Sequence, residues 1–207
     1  MREIDPKTTS RAKAFELWMN ATMPMVTMTK TFDITRLLRV AKRKGVKLNM
    51  LMCYAVVKVA SSFKEFYMLP VGDKLMAFDN IAINTIVMTK DGGINTCDIP
   101  YSDDIHKFEA DYLKLTALAQ TSDKDVVLGD DYMVIGSSAL TKCELDSVVN
   151  VYAGFWNNPF VVWSKYRKGW FKTTLSLSFQ FHHTQMDGPI STGFLNRLQE
   201  VMNEIEY

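Results

Sequence analysis

Two of the chain's three histidines lie together in residues 181–188 (FHHTQMDG), directly after a run of alternating apolar and polar residues. The unperturbed pKa of histidine lies near neutrality, so a well-positioned imidazole can remove a proton from a hydroxyl group at physiological pH. His183 is therefore a candidate general base. Asp187 occupies the position of a helix N-cap before Gly188-Pro189, and we expect its carboxylate to brace the turn that orients the imidazole.

Two other interpretations of this segment do not involve a general base. In the first, His183 is a core histidine with its hydrogen bonds satisfied, and Asp187 is an ordinary helix cap. The second is a metal site, which needs more ligands than two adjacent histidines that point to opposite faces of a strand. The sequence offers neither a His-x-x-x-His pair nor closely spaced cysteines, so we expect no metal.

A strand and a helix must position the motif. Apolar residues occupy every second position from Leu175 to Phe181, which predicts a strand over residues 171–182 with one face in the core. The same parity puts His183 on the buried side and His182 on the other, provided that the strand runs that far. Apolar residues at helical spacing from Ile190 to Ile205 predict a closing helix.

The rest of the chain alternates between helix and strand patterns, without a repeat or a linker. A first predicted helix is capped by Ser10 and directs Phe15, Trp18 and Met19 inward. A second is capped by Asp33 and ended by Gly45. A third, over Met50–Ser62, is expected to be buried, and a fourth begins near Ser102. The predicted strands are Met25–Phe32, Ile81–Val87 before a hairpin turn at Asp91-Gly92-Gly93, Tyr132–Ser138 and Pro159–Tyr166. We expect a single α+β domain over residues 1–207.

Composition excludes several classes of function. With 47% apolar residues and a net charge of +1, the chain can bury a large core and has no electrostatic bias toward nucleic acid. The basic residues between Arg36 and Lys47 are expected to form the solvated face of a helix. Three widely spaced cysteines favour reduced thiols. The polar residues 1–6 and the lack of an apolar run of about 18 residues argue against a signal peptide or a membrane span. We therefore expect a cytoplasmic protein.

The pair His182-His183, three intervening residues and Asp187-Gly188 before a terminal helix resemble the signature of the chloramphenicol acetyltransferase family. Further landmarks of that family occur in the same order, namely Arg11 before Phe15-Glu16, a strand ending in Asp33-Ile34-Thr35, and Pro159 before Lys165-Tyr166. Each landmark is weak alone, but together with the chain length they are fairly specific. The catalytic cores of dihydrolipoyl acyltransferases share the fold and a related signature.

The resemblance implies a two-layer α+β sandwich, with a mixed β-sheet packed by helices, that assembles as a homotrimer with interfacial active sites. It also implies a CoA-dependent O-acetyltransferase, in which His183 removes the proton of an acceptor hydroxyl and the alkoxide attacks the thioester of acetyl-CoA directly. Acetyl-CoA is then a co-substrate. Chloramphenicol is the expected acceptor, and a different small hydroxylated molecule is the alternative.

The resemblance also assigns roles to other residues. A serine on an earlier strand stabilises the oxyanion in the family, and the matching position is Ser138, with Ser137 as the alternative. Arg11 pairs with Asp187 in a bidentate contact. Tyr166 and Lys165 resemble family positions near the coenzyme.

The sequence departs from the family pattern at three places. The family's proline-tryptophan after the serine is replaced by Leu140-Thr141, a threonine that helps to hold the antibiotic is replaced by Val162, and an aromatic residue expected near Met25 to Thr27 is missing. The last two changes put chloramphenicol in doubt. The first motivates a rival interpretation, a trimeric relative that binds a ligand or partner without turnover.

Overall fold

The computed structural model describes the whole chain, residues 1–207, as ten strands and five α-helices. The strands are β1 (Arg2–Ile4), β2 (Met25–Asp33), β3 (Met68–Val71), β4 (Lys74–Ala77), β5 (Asn80–Met88), β6 (Ile94–Pro100), β7 (Tyr132–Leu140), β8 (Phe160–Ser164), β9 (Arg167–Lys168) and β10 (Thr173–His182). The helices are α1 (Ala12–Trp18), α2 (Thr35–Lys44), α3 (Leu48–Ala60), α4 (Ile105–Thr121) and α5 (Gly188–Glu204). Short 3-10 helices cover Pro6–Thr8 and Lys64–Tyr67.

A mixed seven-stranded sheet forms the centre of the molecule. Its strand order is β2-β10-β8-β7-β5-β6, with β9 added alongside β10, and a second sheet of three short strands has the order β1-β4-β3. The β5–β7 and β7–β8 pairs are parallel, whereas β2, β8 and β9 pair with β10 in antiparallel fashion. The predicted α+β class with a mixed sheet packed by helices is confirmed.

Helix α3 is the centre of the core. Its sequence is apolar on nearly all sides, and all of its residues from Met50 to Ala60 except Lys58 are buried, as predicted. It contacts α5, β5 and β7. Beside it, Phe66, Phe179 and Phe194 form an aromatic cluster with ring centroids 4.7–6.0 Å apart. Burial of one such ring contributes roughly 1.5–3 kcal/mol, so this cluster firmly anchors α5 on the sheet.

The predicted end of α2 and the predicted hairpin turn are confirmed, whereas the N-cap of α2 is Ile34 and not the predicted Asp33. Gly45 ends α2 in the left-handed conformation with φ of 72°, and Gly92, with φ of 88°, forms the hairpin turn between β5 and β6. Asp33 lies one residue before the N-cap position of α2, and its Oδ1 still accepts a hydrogen bond of 3.0 Å from the backbone N–H of Thr35.

The prediction for the first helix is wrong in two respects. Arg11, not Ser10, occupies the N-cap position, and its side chain makes no capping hydrogen bond. Phe15 and Met19 are only half-buried and Trp18 is exposed, so the apolar side of this short helix is only partly covered by the rest of the chain.

Two strands are shorter than predicted at the same place in the sheet. The strand predicted over Pro159–Tyr166 ends at Ser164, and the strand predicted from Phe171 begins at Thr173. Between them the chain turns, closed by a 2.8 Å hydrogen bond from Gly169 N to Lys172 O. This turn leaves Phe171 93% exposed.

Residues 141–159 form a long crossover segment between the parallel strands β7 and β8. Its backbone meets polar side chains of β10: Val148 N donates to Ser178 Oγ at 2.9 Å, and Gln180 Nε2 donates to Asn150 O at 3.2 Å. Ser178 and Gln180 alternate with Phe179 along the strand, so the crossover segment covers the sheet face opposite to the helices. Both faces of β10 are consequently buried.

None of the five helices combines the length and the apolar character needed to cross a lipid bilayer.

Candidate active site

The residues after β10 form one tight turn that leads into α5. The backbone N–H groups of Gln185 and Met186 both donate to His182 O, at 2.9 and 3.3 Å. The carboxylate of Asp187 accepts from Ile190 N at 3.4 Å, and this residue is the N-cap of α5, as predicted. The turn is therefore fixed at both ends by hydrogen bonds.

Arg11 holds the turn from the other side. Its side chain is 4% exposed and uses all three guanidinium nitrogens: NH1 donates to Asp187 Oδ2 at 2.9 Å, Nε to Thr184 O at 2.9 Å and NH2 to His183 O at 3.0 Å. The contact between Arg11 and Asp187 confirms the predicted pairing, but it is not bidentate, because the other two nitrogens bind backbone carbonyl groups.

Arg11 also affects the ionisation of Asp187. Partial burial acts to raise the pKa of this carboxyl group, but the hydrogen bonds from Arg11 and Ile190 and the positive charge of Arg11 lower it on balance. Asp187 is therefore a carboxylate near neutral pH, which supports its interpretation as a brace.

His183 presents one ring nitrogen to solvent. Its backbone N–H donates to Pro24 O at 2.8 Å, and its ring stacks on the indole of Trp18 with a centroid distance of 4.7 Å and an interplanar angle of 12°. Nδ1 is enclosed and has no hydrogen-bond partner. Nε2 makes no hydrogen bond within the chain and is not enclosed, so it is the nitrogen that can meet a substrate.

The predicted sides of the two histidines are wrong. His182 is 2% exposed, whereas His183 is half-buried. The parity argument fails because β10 ends at His182 and the turn begins at once, and because both faces of the strand are covered. Burial, followed by the nearby His183, lowers the pKa of His182 to about 4. Its neutral Nδ1 accepts a hydrogen bond from Thr184 N at 3.1 Å.

Ser137 and Ser138 point to opposite faces of β7. Ser137 is fully buried on the helix side, and its hydroxyl donates to Asn84 O at 2.7 Å. Ser138 is half-buried on the face of the crossover segment, opposite Val162 of β8, and its hydroxyl makes no hydrogen bond within the chain. Only the hydroxyl of Ser138 is therefore free to bind a substrate.

A single chain does not bring Ser138 and His183 together. Ser138 of β7 pairs with Val162 of β8, and Val162 pairs with Ser178 of β10. Ser178 lies four residues before His182 on β10. Two strand spacings and four residues correspond to about 16 Å. One acceptor molecule cannot bridge these two groups within one protomer.

Lys165 and Tyr166 also lie away from the turn. They follow Trp163, which pairs with Leu177, so they are at the opposite end of β10 from His182. Lys165 is exposed, and Tyr166 is half-buried against the core. The two residues are neighbours, but this chain alone does not place them beside its own His183.

The sequence interpretation missed the contact of Trp18 with the imidazole. Trp18 follows Arg11 by seven residues, a spacing that places two helical residues on the same side. Because Arg11 was assigned to the turn, this spacing could have placed Trp18 there too. It also missed that Thr184 and Gln185, the two residues after His183, are completely buried.

The architecture is that of known acyltransferases. The chain is similar to a solved structure of a chloramphenicol acetyltransferase, with a TM-score of 0.85 at 19% sequence identity over 97% of this chain and 99% of that one. It is also similar to a probable dihydrolipoamide acetyltransferase from Listeria monocytogenes, with a TM-score of 0.71 at 16% identity over 100% of this chain and 95% of that one. These likenesses establish the fold class.

Sequence comparison then identifies the family. A sequence model described as chloramphenicol acetyltransferase matches residues 1–199. Chloramphenicol acetyltransferase 3 of Escherichia coli is 27% identical over 97% of this chain and 96% of its own length, and a chloramphenicol acetyltransferase of Clostridium perfringens is 26% identical over 98% and 95%. The chain belongs to the chloramphenicol acetyltransferase family. Its family and relatives support an acetyl-CoA-dependent acyltransferase.

Proposed function

We propose that this protein transfers the acetyl group of acetyl-CoA to a hydroxyl group of chloramphenicol or a similar small molecule. The observation that carries the proposal is the turn after β10, where Arg11 and Asp187 hold His183 with Nε2 free. A base needs a fixed position and an unshared lone pair, and this arrangement supplies both.

The reaction is a direct transfer. Nε2 of His183 removes the proton of the acceptor hydroxyl as its oxygen attacks the thioester carbonyl, and the hydroxyl of Ser138 donates to the resulting oxyanion. Collapse of this intermediate breaks the carbon–sulfur bond. The imidazolium returns the proton to the departing thiolate, so that free CoA and the acetyl ester leave.

The active site is formed between protomers of a homotrimer. The separation of about 16 Å between Ser138 and the level of His182 supports this proposal, because the oxyanion donor and the base must then come from different chains. Lys165 and Tyr166 are proposed to contact the coenzyme, the first through its ammonium group and the second through its ring. A cytoplasmic location fits the intracellular supply of acetyl-CoA.

The side chains beside Ser138 form one wall of the proposed site and indicate how polar the acceptor is. Val162 lies opposite Ser138, and the ring of Phe160 covers Gly136 on the same face. Asn84 on this face already donates to Asp98 Oδ1 at 2.7 Å. Such a wall favours an apolar body next to the reacting hydroxyl. Because Val162 replaces the threonine expected to help hold chloramphenicol, another alcohol with an apolar body is as good a candidate for the acceptor as chloramphenicol.

Release of CoA thiol from acetyl-CoA tests the activity. We expect thiol release with chloramphenicol, or with at least one alcohol from a panel of small hydroxylated compounds, and a loss of at least a hundredfold in His183→Ala. His106→Ala is the matched control, since this third histidine lies exposed on α4 away from the turn. Full activity of His183→Ala would remove the proposed base.

The rival function is binding without turnover, motivated by Leu140-Thr141 at the family's proline-tryptophan position. Calorimetric titration with acetyl-CoA separates the two functions. Binding without thiol release for any alcohol in the panel supports the rival, whereas turnover with one alcohol excludes it.

A further inference from the structure

Two polar side chains, those of Asn84 and Asp98, lie on the same face of the sheet as Ser138. Asn84 of β5 pairs directly with Asp98 of β6. Continued by one residue, the register between β5 and β7 places Asn84 beside Gly136, two residues before Ser138. One strand spacing and two residues along a strand put the Cα atoms of Asn84 and Ser138 about 8 Å apart. The amide of Asn84 therefore lies in the wall of the proposed acceptor site.

Asp98 is a buried carboxylate without a cationic partner. It is 6% exposed and takes part in no salt bridge. Its Oδ1 accepts from Asn84 Nδ2 at 2.7 Å, and its Oδ2 accepts from Leu128 N at 3.1 Å. The backbone around Leu128 is held against β6, because Asp98 N donates to Val126 O at 2.8 Å. Two fixed N–H donors thus satisfy the buried charge.

This carboxylate determines which way the amide of Asn84 points. A carboxylate only accepts hydrogen bonds, so the NH₂ group of the amide must face it and the carbonyl Oδ1 must point elsewhere. Asn84 Oδ1 makes no hydrogen bond within the chain and is not enclosed, so it can accept one from a ligand. The backbone of the same residue is also held, since Ser137 Oγ donates to Asn84 O at 2.7 Å. The free oxygen is therefore fixed in direction before a ligand binds.

The side chains beside this oxygen are apolar. The ring of Phe160 lies over Gly136, the neighbour of Asn84 in the sheet, and Val162 lies opposite Ser138. A hydrogen bond in such surroundings is stronger than in water, and the bond from Asn84 to a carboxylate polarises the amide further. A ligand without a donor at this point would leave Oδ1 covered and unpaired, which is unfavourable.

We propose that Asn84 is a specificity-determining residue and that Asp98 positions it. The acceptor is then an alcohol with an apolar body and a second hydrogen-bond donor, a hydroxyl or an N–H group, which donates to Asn84 Oδ1. A site built to bind such a donor discriminates strongly against an analogue that lacks it. The inference rests on the proposed function, because it concerns the acceptor of that transfer.

Matched pairs of aryl alcohols test this preference. The two members of a pair share the aryl body and the reacting primary hydroxyl, but one carries a second hydroxyl group and the other a methoxy group in its place. Thiol release from acetyl-CoA gives kcat/KM for each member, and calorimetry gives each Kd. We expect the wild-type protein to favour the dihydroxy member about tenfold or more, and Asn84→Leu to lower this ratio to about one.

Asp98→Asn is expected to reverse the preference. Leu128 N still needs an acceptor, so the oxygen of the introduced amide faces it and the NH₂ group faces Asn84. The amide of Asn84 must then turn its own oxygen inward and its NH₂ group toward the acceptor. We expect this variant to favour the methoxy member, which accepts but does not donate. A purely structural role of Asp98 would lower activity toward both members and leave their ratio unchanged.

Thr85→Val is the matched control. Thr85 follows Asn84 on β5 but points into the core, where its Oγ1 accepts from Asn49 Nδ2 at 3.3 Å. We expect this variant to keep the wild-type ratio. If Asp98→Asn does not fold, the ratio in Asn84→Leu decides.

Equal kcat/KM for both members in an active wild-type protein would overturn the inference and leave the proposed function standing. An Asp98→Asn or Asn84→Leu variant with the wild-type ratio would overturn it too. If no alcohol releases thiol, the proposed function is contradicted and Kd replaces kcat/KM in the comparison. A tighter Kd for the dihydroxy member, lost in Asn84→Leu, then still supports the inference, whereas equal or undetectable binding overturns it.

Discussion

The side chain of Arg11 makes three hydrogen bonds to the turn between β10 and α5. Two of its nitrogens bind the carbonyl oxygens of His183 and Thr184, and the third binds Asp187. A planar guanidinium presents donors in several fixed directions, which an ammonium group cannot reproduce. The arginine therefore orients the backbone that carries the imidazole, and the ion pair with Asp187 is only one part of this function.

Substitution of Ser138 is expected to lower activity, whereas substitution of the adjacent Ser137 is expected to lower stability. Ser138→Ala removes a free hydroxyl and should lower kcat by about a hundredfold with little effect on unfolding, because oxyanion donors act mainly in the transition state. Ser137→Ala removes a buried hydrogen bond to Asn84 O and should lower the free energy of unfolding by about 1 kcal/mol while activity persists. Steady-state kinetics and urea titration of both variants make the comparison.

Each serine variant is the control for the other, since the two residues share one strand and one chemistry. The reverse pattern, with kcat lost in Ser137→Ala and retained in Ser138→Ala, would assign the oxyanion contact to Ser137. In that case Ser137, and not Ser138, would have to face the substrate in the assembled protein.

Among the helices and strands, the sequence predicts those features that depend only on neighbouring residues in the chain. An apolar helix such as α3 must be buried wherever it lies, and Gly45 ends α2 because only a residue tolerant of positive φ fits there. The orientation of α1 was not predictable, because periodicity identifies an apolar side without showing what covers it. Strands β1, β3 and β4 contain three or four residues each, too few for an alternating pattern to develop.

The same reasoning explains what was missed at the site. The motif and its N-cap are local, so Asp187 was placed correctly, and Arg11 was found only through the family resemblance. The contact with Trp18 and the burial of Gln185 depend on how α1 and α5 pack, which no short segment encodes. The side of His183 was wrong because the end of a strand is decided by its neighbours in the sheet.

The buried imidazole of His182, at the end of β10, should make the stability of the folded protein decrease at acidic pH. The pKa of His182 falls from 6.5 to about 4 in the folded protein, so the unfolded chain binds the proton more readily. Stability is therefore lost as the pH falls from about 6.5 toward 4, by roughly 3 kcal/mol at the low end. His182→Asn, whose side-chain oxygen can still accept from Thr184 N, should lose markedly less stability over this range in urea titrations.

His106→Asn provides the comparison for this pH dependence, since it alters an exposed histidine on α4 and should follow the wild-type curve. Carboxyl groups titrate equally in all three proteins and cancel in the difference. Equal acid sensitivity of His182→Asn and wild type would show that burial of this imidazole does not control the transition.

At the scale of the whole molecule, the separation of Ser138 from His183 supports the proposal that each active site is formed between protomers. Several apolar side chains of the crossover segment are exposed in the single chain, among them Val151 at 87% and Phe155 at 74%. These residues lie on the segment that covers the Ser138 face of the sheet. A contact between protomers there would bury apolar area and bring a second chain close to Ser138.

Complementation between inactive variants tests this arrangement. His183→Ala and Ser138→Ala are co-expressed in equal amounts with different affinity tags, and trimers that carry both tags are isolated. In a cyclic trimer that takes its base from one chain and its oxyanion donor from the next, every mixed trimer contains one intact site of three. The isolated mixed trimers should therefore show about a third of the wild-type activity, and the unfractionated protein, in which about three quarters of the trimers are mixed, should show about a quarter. If base and donor came from the same chain, no mixed trimer would contain an intact site, and activity would stay at the level of the separate variants.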